Sequence, residues 1–183
     1  MPHNEEPLEP WRSFFGELDS GLAEEVQLHC CGGFVVTNLY GVARDTSDVD
    51  FLSIVPNVWR NLAEIAGQGS ELHRKHKRYL HPVTIVTPPE NYEERLVLMF
   101  PDMWRHLHLF GLEAHDLALT KLEANRERDR DDVQRLARAG HLKPEILKDR
   151  YYNELRPNLL AHEDRHDLTL ALWLELINAI QSD

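Results

Sequence analysis

Asp48 and Asp50 stand one residue apart in DTSDVDFLSIV, where a polar turn runs into an apolar stretch. Side chains of an extended strand alternate between faces, so the two carboxylates emerge on one side while Val49 and Phe51 point to the other. Two carboxylates held side by side repel each other unless a cation sits between them. Hard divalent ions such as Mg²⁺ take oxygen ligands, often one or two carboxylates completed by substrate phosphates. Upstream, Gly32-Gly33 can open a helix whose free N–H groups meet an anion, with no Cβ in the way. Arg44, Thr46 and Ser47 lie in the turn just before the acid pair. They can offer donors to triphosphate oxygens, or cap the turn and pair with Asp45. A phosphate cradle beside a metal-holding acid pair is the equipment of phosphoryl transfer.

Four blocks follow one another along the chain: GG…RDTSDVDF (32–51), PPENYEERL (88–96), HDLALTKLEANRERDRDDV (115–133) and YYNELRP (151–157). Together they resemble the nucleotidyltransferase superfamily typified by DNA polymerase β, and within it the small bacterial nucleotidyltransferases related to AbiEii-type toxins. The likeness covers roughly Leu28 to Pro157. It implies an α+β fold, a mixed-sheet nucleotidyltransferase core with a helical C-terminal part. The activity it implies is metal-dependent transfer of a nucleoside monophosphate from an NTP to a hydroxyl of an RNA (tRNA) or protein acceptor. A toxin–antitoxin setting with a cognate antitoxin is implied by the resemblance alone. Asp48 and Asp50 are then the catalytic carboxylates and hold Mg²⁺ (or Mn²⁺), while Gly32, Gly33, Arg44, Thr46 and Ser47 meet the nucleotide. The pattern of the AbiEii-like proteins also places an Asp…Lys element here, which maps onto Asp116 and Lys121, the ammonium offsetting phosphate charge. Read without the resemblance, Lys121 among Leu117, Leu119 and Leu122 is a lysine snorkelling from a core face.

One departure stands out. The superfamily usually carries a third carboxylate on a later strand, and here that stretch reads HPVTIVTPP, with no acid; Glu90, Glu93 and Glu94 lie just beyond it. One metal on two carboxylates can still organise a triphosphate, but the acceptor hydroxyl lacks an obvious base. A catalytically impaired nucleotide-binding or protein-interaction module is therefore the rival reading.

Other clusters invite chemistry less strongly. Asp129 and Asp132 share a helix face and either order Lys121, Arg126 and Arg128 or cap a helix N-terminus. His162-Glu163-Asp164-Arg165-His166 fits HExxH, but zinc hydrolysis needs both histidines on one helix face, and Asp167 reads as the N-cap of the last helix. His115-Asp116 lacks the further ligands of a metal phosphohydrolase. HRKHKR (73–78) reads as a solvated loop or edge, or as a patch for phosphate or RNA.

The positioning elements are a first strand over 26–30, a helix over 34–40 stopped by Gly41, and a strand over 49–55. Around them stand helices over 11–22 and 58–66, a strand over 83–87 between prolines, and a helix turn and strand over 92–99. Three helices follow, over 117–125, 129–139 and 144–155, then a last helix over 167–180 that is apolar nearly all round. Such a helix is either covered by Trp11, Phe14 and Phe15 or shared with a second copy or a partner. The expected division is a nucleotidyltransferase core over 1–112 and a helical subdomain over 113–183.

The chain of 183 residues is 42% hydrophobic and 28% charged, which suffices for one compact core. Its net charge of −11 opposes non-specific binding to a long polyanion. No run of about 18 apolar residues predicts a membrane span. The opening MPHNEEPLEPW has no secretory pattern, and the adjacent Cys30 and Cys31 make a poor disulfide pair, so a cytoplasmic setting is expected.

Overall fold

In the computed structural model, Pro7 and residues 9–182 are described. Two compact units share the chain: residues up to Thr84 together with Leu96–Gly111, and Ile85–Arg95 together with the residues from Leu112 onward. The expected α+β fold is found, with a mixed five-stranded sheet in the first unit and a helical C-terminal part.

The strands are β1 (Val26–Cys30), β2 (Asp48–Val55), β3 (Tyr79–Pro82), β4 (Val97–Met99) and β5 (Leu107–Gly111), in the order β3-β2-β1-β5-β4. β1 is antiparallel to β2 and parallel to β5, while β2 and β3 run parallel. Helices α1 (Trp11–Ser20), α2 (Gly32–Asn38), α3 (Trp59–Ala66) and α4 (Glu71–His76) belong to the same unit. Trp11, Phe14, Phe15 and Leu18 recur at helical spacing on α1, and all are buried. The rings of Trp11, Phe14 and Phe15 gather with Phe34 and Trp104 at centroid separations of 5.0–5.8 Å, so aromatic area pins α1 and α2 together.

The register of β2 explains how its acids reach the surface. Leu28 pairs with Ile54 and His29 with Ser53, but Cys30 pairs with Phe51, so Leu52 is an extra residue on β2. This bulge reverses the alternation. Ile54 is buried at one end, and so are Phe51 and Val49 beyond the bulge, which leaves Asp48 and Asp50 on the open face.

Two elements differ from expectation. The strand expected over 83–87 lies earlier, at Tyr79–Pro82, where buried Leu80 anchors it. The Val83 N–H still bonds the Phe51 carbonyl at 2.9 Å, after which the pairing ends and Ile85 is 90% exposed. β5 was not foreseen, because HLHLFGL alternates too briefly between histidine and apolar residues to stand out. Most of the HRKHKR run is helical, in α4, with Arg74, Lys75 and Lys77 exposed. Ser70 caps α4 by accepting from the His73 N–H, Lys75 pairs with Glu17 at 2.5 Å, and Arg78 stacks 5.1 Å from the Trp11 ring centre.

The second unit contains a 3₁₀ turn (Tyr92–Arg95), α5 (Ala114–Leu119), α6 (Glu127–Arg138), α7 (Pro144–Arg150) continued by a π turn (Tyr151–Leu155), and α8 (Glu163–Ser182). α8 begins four residues before Asp167, so Asp167 is not its N-cap. It accepts instead from the Tyr151 hydroxyl at 2.6 Å and from Arg156 at 2.9 and 3.0 Å, and those bonds hold its carboxyl below the usual range. His166, Leu170, Trp173 and Ile177 of α8 are buried, and α6 and α7 are its neighbours. The aromatic residues of α1 pack on one another and on Phe34 and Trp104 within the first unit. Leu168 and Leu172 remain 62% and 56% exposed. No helix among the described residues is long and apolar enough to cross a membrane.

Candidate functional site

Asp48 and Asp50 of β2 lie directly beside Tyr79 and His81 of the parallel neighbour β3. Paired residues project from the same face of a sheet, so the four side chains form one patch. His81 Nδ1 lies 2.8 Å from Asp50 Oδ1, and the imidazole is half exposed. Thr46 donates its hydroxyl to Asp48 Oδ1 at 3.0 Å and to the Asp48 carbonyl at 3.2 Å, which fixes the orientation of that carboxylate. Burial, together with the charge of Asp48 and Asp50, pushes the Tyr79 phenol above its ordinary pKa.

Gly32 and Gly33 open α2 next to this patch, and their lack of a Cβ has a visible use. A Cβ on Gly32 would lie 2.4 Å from Asp50 Oδ2, and its φ of +67° is left-handed. A Cβ on Gly33 would lie 2.9 Å from Arg44 Cζ. The two glycines thus let the Asp50 carboxylate and the Arg44 guanidinium lie directly against the start of the helix. The Cys31 N–H reinforces this closure by donating to the Asp50 carbonyl at 2.8 Å. Arg44 is half-buried, and Ser47 is exposed with its carbonyl accepting from the Tyr79 N–H.

Glycine at position 32 is therefore required by both conformation and space. Gly32→Ala is expected to cost about 1–2 kcal/mol from the left-handed backbone, before any displacement of Asp50 is counted. Urea unfolding together with Mn²⁺ binding checks this. A variant with wild-type stability and metal affinity would show that Asp50 does not need the space.

Among the described residues, Asp48, Asp50 and His81 each offer one ligand atom, all within 4.8 Å of one another. Two carboxylates and an imidazole, partly open to solvent, fit a divalent ion that also takes substrate oxygens. His81 is the candidate ligand that sequence reasoning missed. Its signal was the Tyr-x-His spacing around buried Leu80, hidden because the strand was expected to begin four residues later.

Lys121 belongs to the second unit and not to the unit that carries this patch. Its ammonium is buried, 2.8 Å from Asp132 Oδ2 and 3.8 Å from Asp129 Oδ1. Asp129 also accepts from the Arg126 N–H and caps α6, and the pair orders Lys121, the one cation of the three expected that it is shown to pair with. Asp116 is fully buried and binds Arg95 and Arg150. His115 spans Glu113 and the Lys143 N–H with its two ring nitrogens, which leaves neither for a metal. His162 is exposed, lies ahead of α8 and has φ of +63°, whereas His166 is buried, so the HExxH spacing builds no zinc site. Cys30 and Cys31 are buried and form no disulfide; burial, then the neighbouring Cys31 and the charge of Asp50, raises the Cys30 thiol pKa.

A mixed sheet that presents two strand carboxylates beside a Gly-Gly helix start is the arrangement of a nucleotidyltransferase. Over residues 19–181 the chain matches the family described as "Nucleotidyltransferase of unknown function" (DUF6036), and it belongs to that family. The match carries the nucleotidyltransferase assignment and not the likeness to AbiEii-type toxins. No curated protein and no solved structure matches the chain.

Proposed function

We propose that the protein transfers a nucleoside monophosphate from an NTP to an acceptor hydroxyl, with a divalent ion held by Asp48, Asp50 and His81. The observation that carries this reading is the pairing of β2 with β3, which gathers three ligand-bearing side chains on one partly open face. A divalent ion there would neutralise phosphate charge and polarise the α-phosphorus toward attack. Asp48 is oriented by Thr46, and Asp50 is seated over Gly32, so both oxygens are positioned before substrate arrives. Arg44, held against Gly33, supplies a fork of donors for phosphate oxygens, and Ser47 offers a hydroxyl at the rim. That Lys121, whose ammonium Asp132 now holds, offsets phosphate charge is proposed from the likeness to AbiEii-type toxins. The likeness to AbiEii-type toxins is the ground for proposing an RNA (tRNA) or protein hydroxyl as acceptor, an antitoxin partner and Mg²⁺ or Mn²⁺ as the ion.

The missing third acid favours the rival, a module that binds nucleotide without turning it over. Incubation with each α-³²P-labelled NTP, divalent metal, bulk tRNA and the protein itself separates the two. Label on RNA or protein, with release of pyrophosphate, is the expected result. Metal-dependent NTP binding without any labelled acceptor would favour the rival, and no NTP binding with any metal would sink both.

A further inference from the structure

We infer that His81 makes this a mixed nitrogen–oxygen metal site, selective for a first-row transition ion such as Mn²⁺ over Mg²⁺. The inference rests on the metal-dependent reading above and specifies its ion. β3 places His81 opposite Asp50, with Nδ1 at 2.8 Å from Asp50 Oδ1. Two ligand atoms at right angles on one small ion, each about 2.1 Å from it, are roughly 3 Å apart. The separation already present is therefore that of two ligands on one ion, which would displace the proton the pair shares and lie off the line between them, the exposed imidazole turning to aim Nδ1 at it. Asp48 completes the group, its ligand atom lying within 4.8 Å of both others and its orientation fixed by Thr46.

The donor set determines the ion. Mg²⁺ demands oxygen and gives up its waters reluctantly, so it gains little from an imidazole. Imidazole nitrogen raises affinity for transition ions, whose binding strengthens along the first row, while the carboxylates keep the site open to Mn²⁺. Among the described residues, His81 supplies the one nitrogen ligand of this cluster.

The test uses Mn²⁺ as probe on the full chain. Titration calorimetry gives the ratio of Mn²⁺ to Mg²⁺ affinity, and electron spin-echo modulation reports a nitrogen bound to Mn²⁺. The wild type is expected to show nitrogen modulation, absent in both His81→Ala and His81→Asp. His81→Asp, which restores an all-oxygen set, is expected to reduce the affinity ratio at least tenfold by weakening Mn²⁺ and strengthening Mg²⁺. His81 is half exposed, so the variants are expected to fold, and circular dichroism checks that they do. Bound Mn²⁺ without nitrogen modulation, or a ratio unchanged in His81→Asp, would overturn the inference. Nitrogen modulation without any nucleotide transfer would leave it standing and sink the enzymatic reading. Transfer supported equally by Mg²⁺ in wild type and His81→Ala would do the reverse.

Discussion

Asp50→Asn is expected to reduce nucleotide transfer by at least about a hundredfold while leaving the fold intact. Outer groups that merely orient a metal ligand are worth about 10–100-fold, so loss of a charged ligand should cost no less. Asparagine fits the same space over Gly32, where the carboxylate oxygen already lies closer than a Cβ would tolerate. Two effects on stability oppose each other. Neutralising one of two neighbouring carboxylates relieves repulsion, while the 2.8 Å contact with His81 loses its charge. Both groups are partly exposed, so each effect is modest and the net change should stay within about 1 kcal/mol. Initial rates of α-³²P transfer, read beside urea unfolding, make the check. A variant within tenfold of wild-type activity would remove Asp50 from the metal site. A variant that loses activity only because it unfolds would leave the chemical role without support.

The strand-borne acids were legible because β alternation is local. Val49 and Phe51 are apolar and β-prone, so Asp48 and Asp50 had to share the other face. The bulge at Leu52 was not legible, since it depends on which β1 residue meets which β2 residue. His81 was lost for a related reason: Val83–Val86 looks more strand-like than Tyr79–Pro82, yet pairing with β2 and burial of Leu80 select the earlier segment. The glycines were read correctly as sites of close approach, but what the structure brings close is Asp50 and Arg44. No spacing rule contains that information, because both contacts cross a turn whose path is set by tertiary packing. Helix ends show the same limit. Asp167 has the chemistry of an N-cap, yet Tyr151 and Arg156 claim it from outside the helix, and α8 starts a turn earlier.

Asp116→Ala is expected to destabilise the protein by about 3–5 kcal/mol, the cost of removing one partner from a buried ion network. Asp116 is fully buried and accepts from Arg95 Nε at 2.8 Å, Arg95 Nη2 at 3.1 Å and Arg150 Nη1 at 3.0 Å. Glu154 takes the other edge of Arg95 at 2.6 and 3.1 Å, and Glu113 pairs with Arg150. All these groups lie within the second unit. Without Asp116, two largely buried guanidinium groups would face each other with one carboxylate apiece. Acid should expose the same dependence. Burial would raise the Glu113 pKa, but His115 and Arg150 outweigh it and hold the carboxyl at about 2. His115 accepts the Lys143 N–H at Nε2, so its own proton sits on Nδ1 and the ring donates to Glu113. A depressed carboxyl contributes stability that is complete above its unfolded pKa of about 4.3 and is withdrawn as pH falls toward 2. Urea midpoints at pH 7, 4 and 3 should therefore fall for wild type only in the acid range, and for Asp116→Ala should already be low at pH 7. A loss below about 1 kcal/mol at pH 7 would show that the arginines find other partners. Asp116 would then be free for the nucleotide-facing role that its likeness to the Asp…Lys element implies, and a selective loss of NTP affinity in the stable variant would be the sign of it.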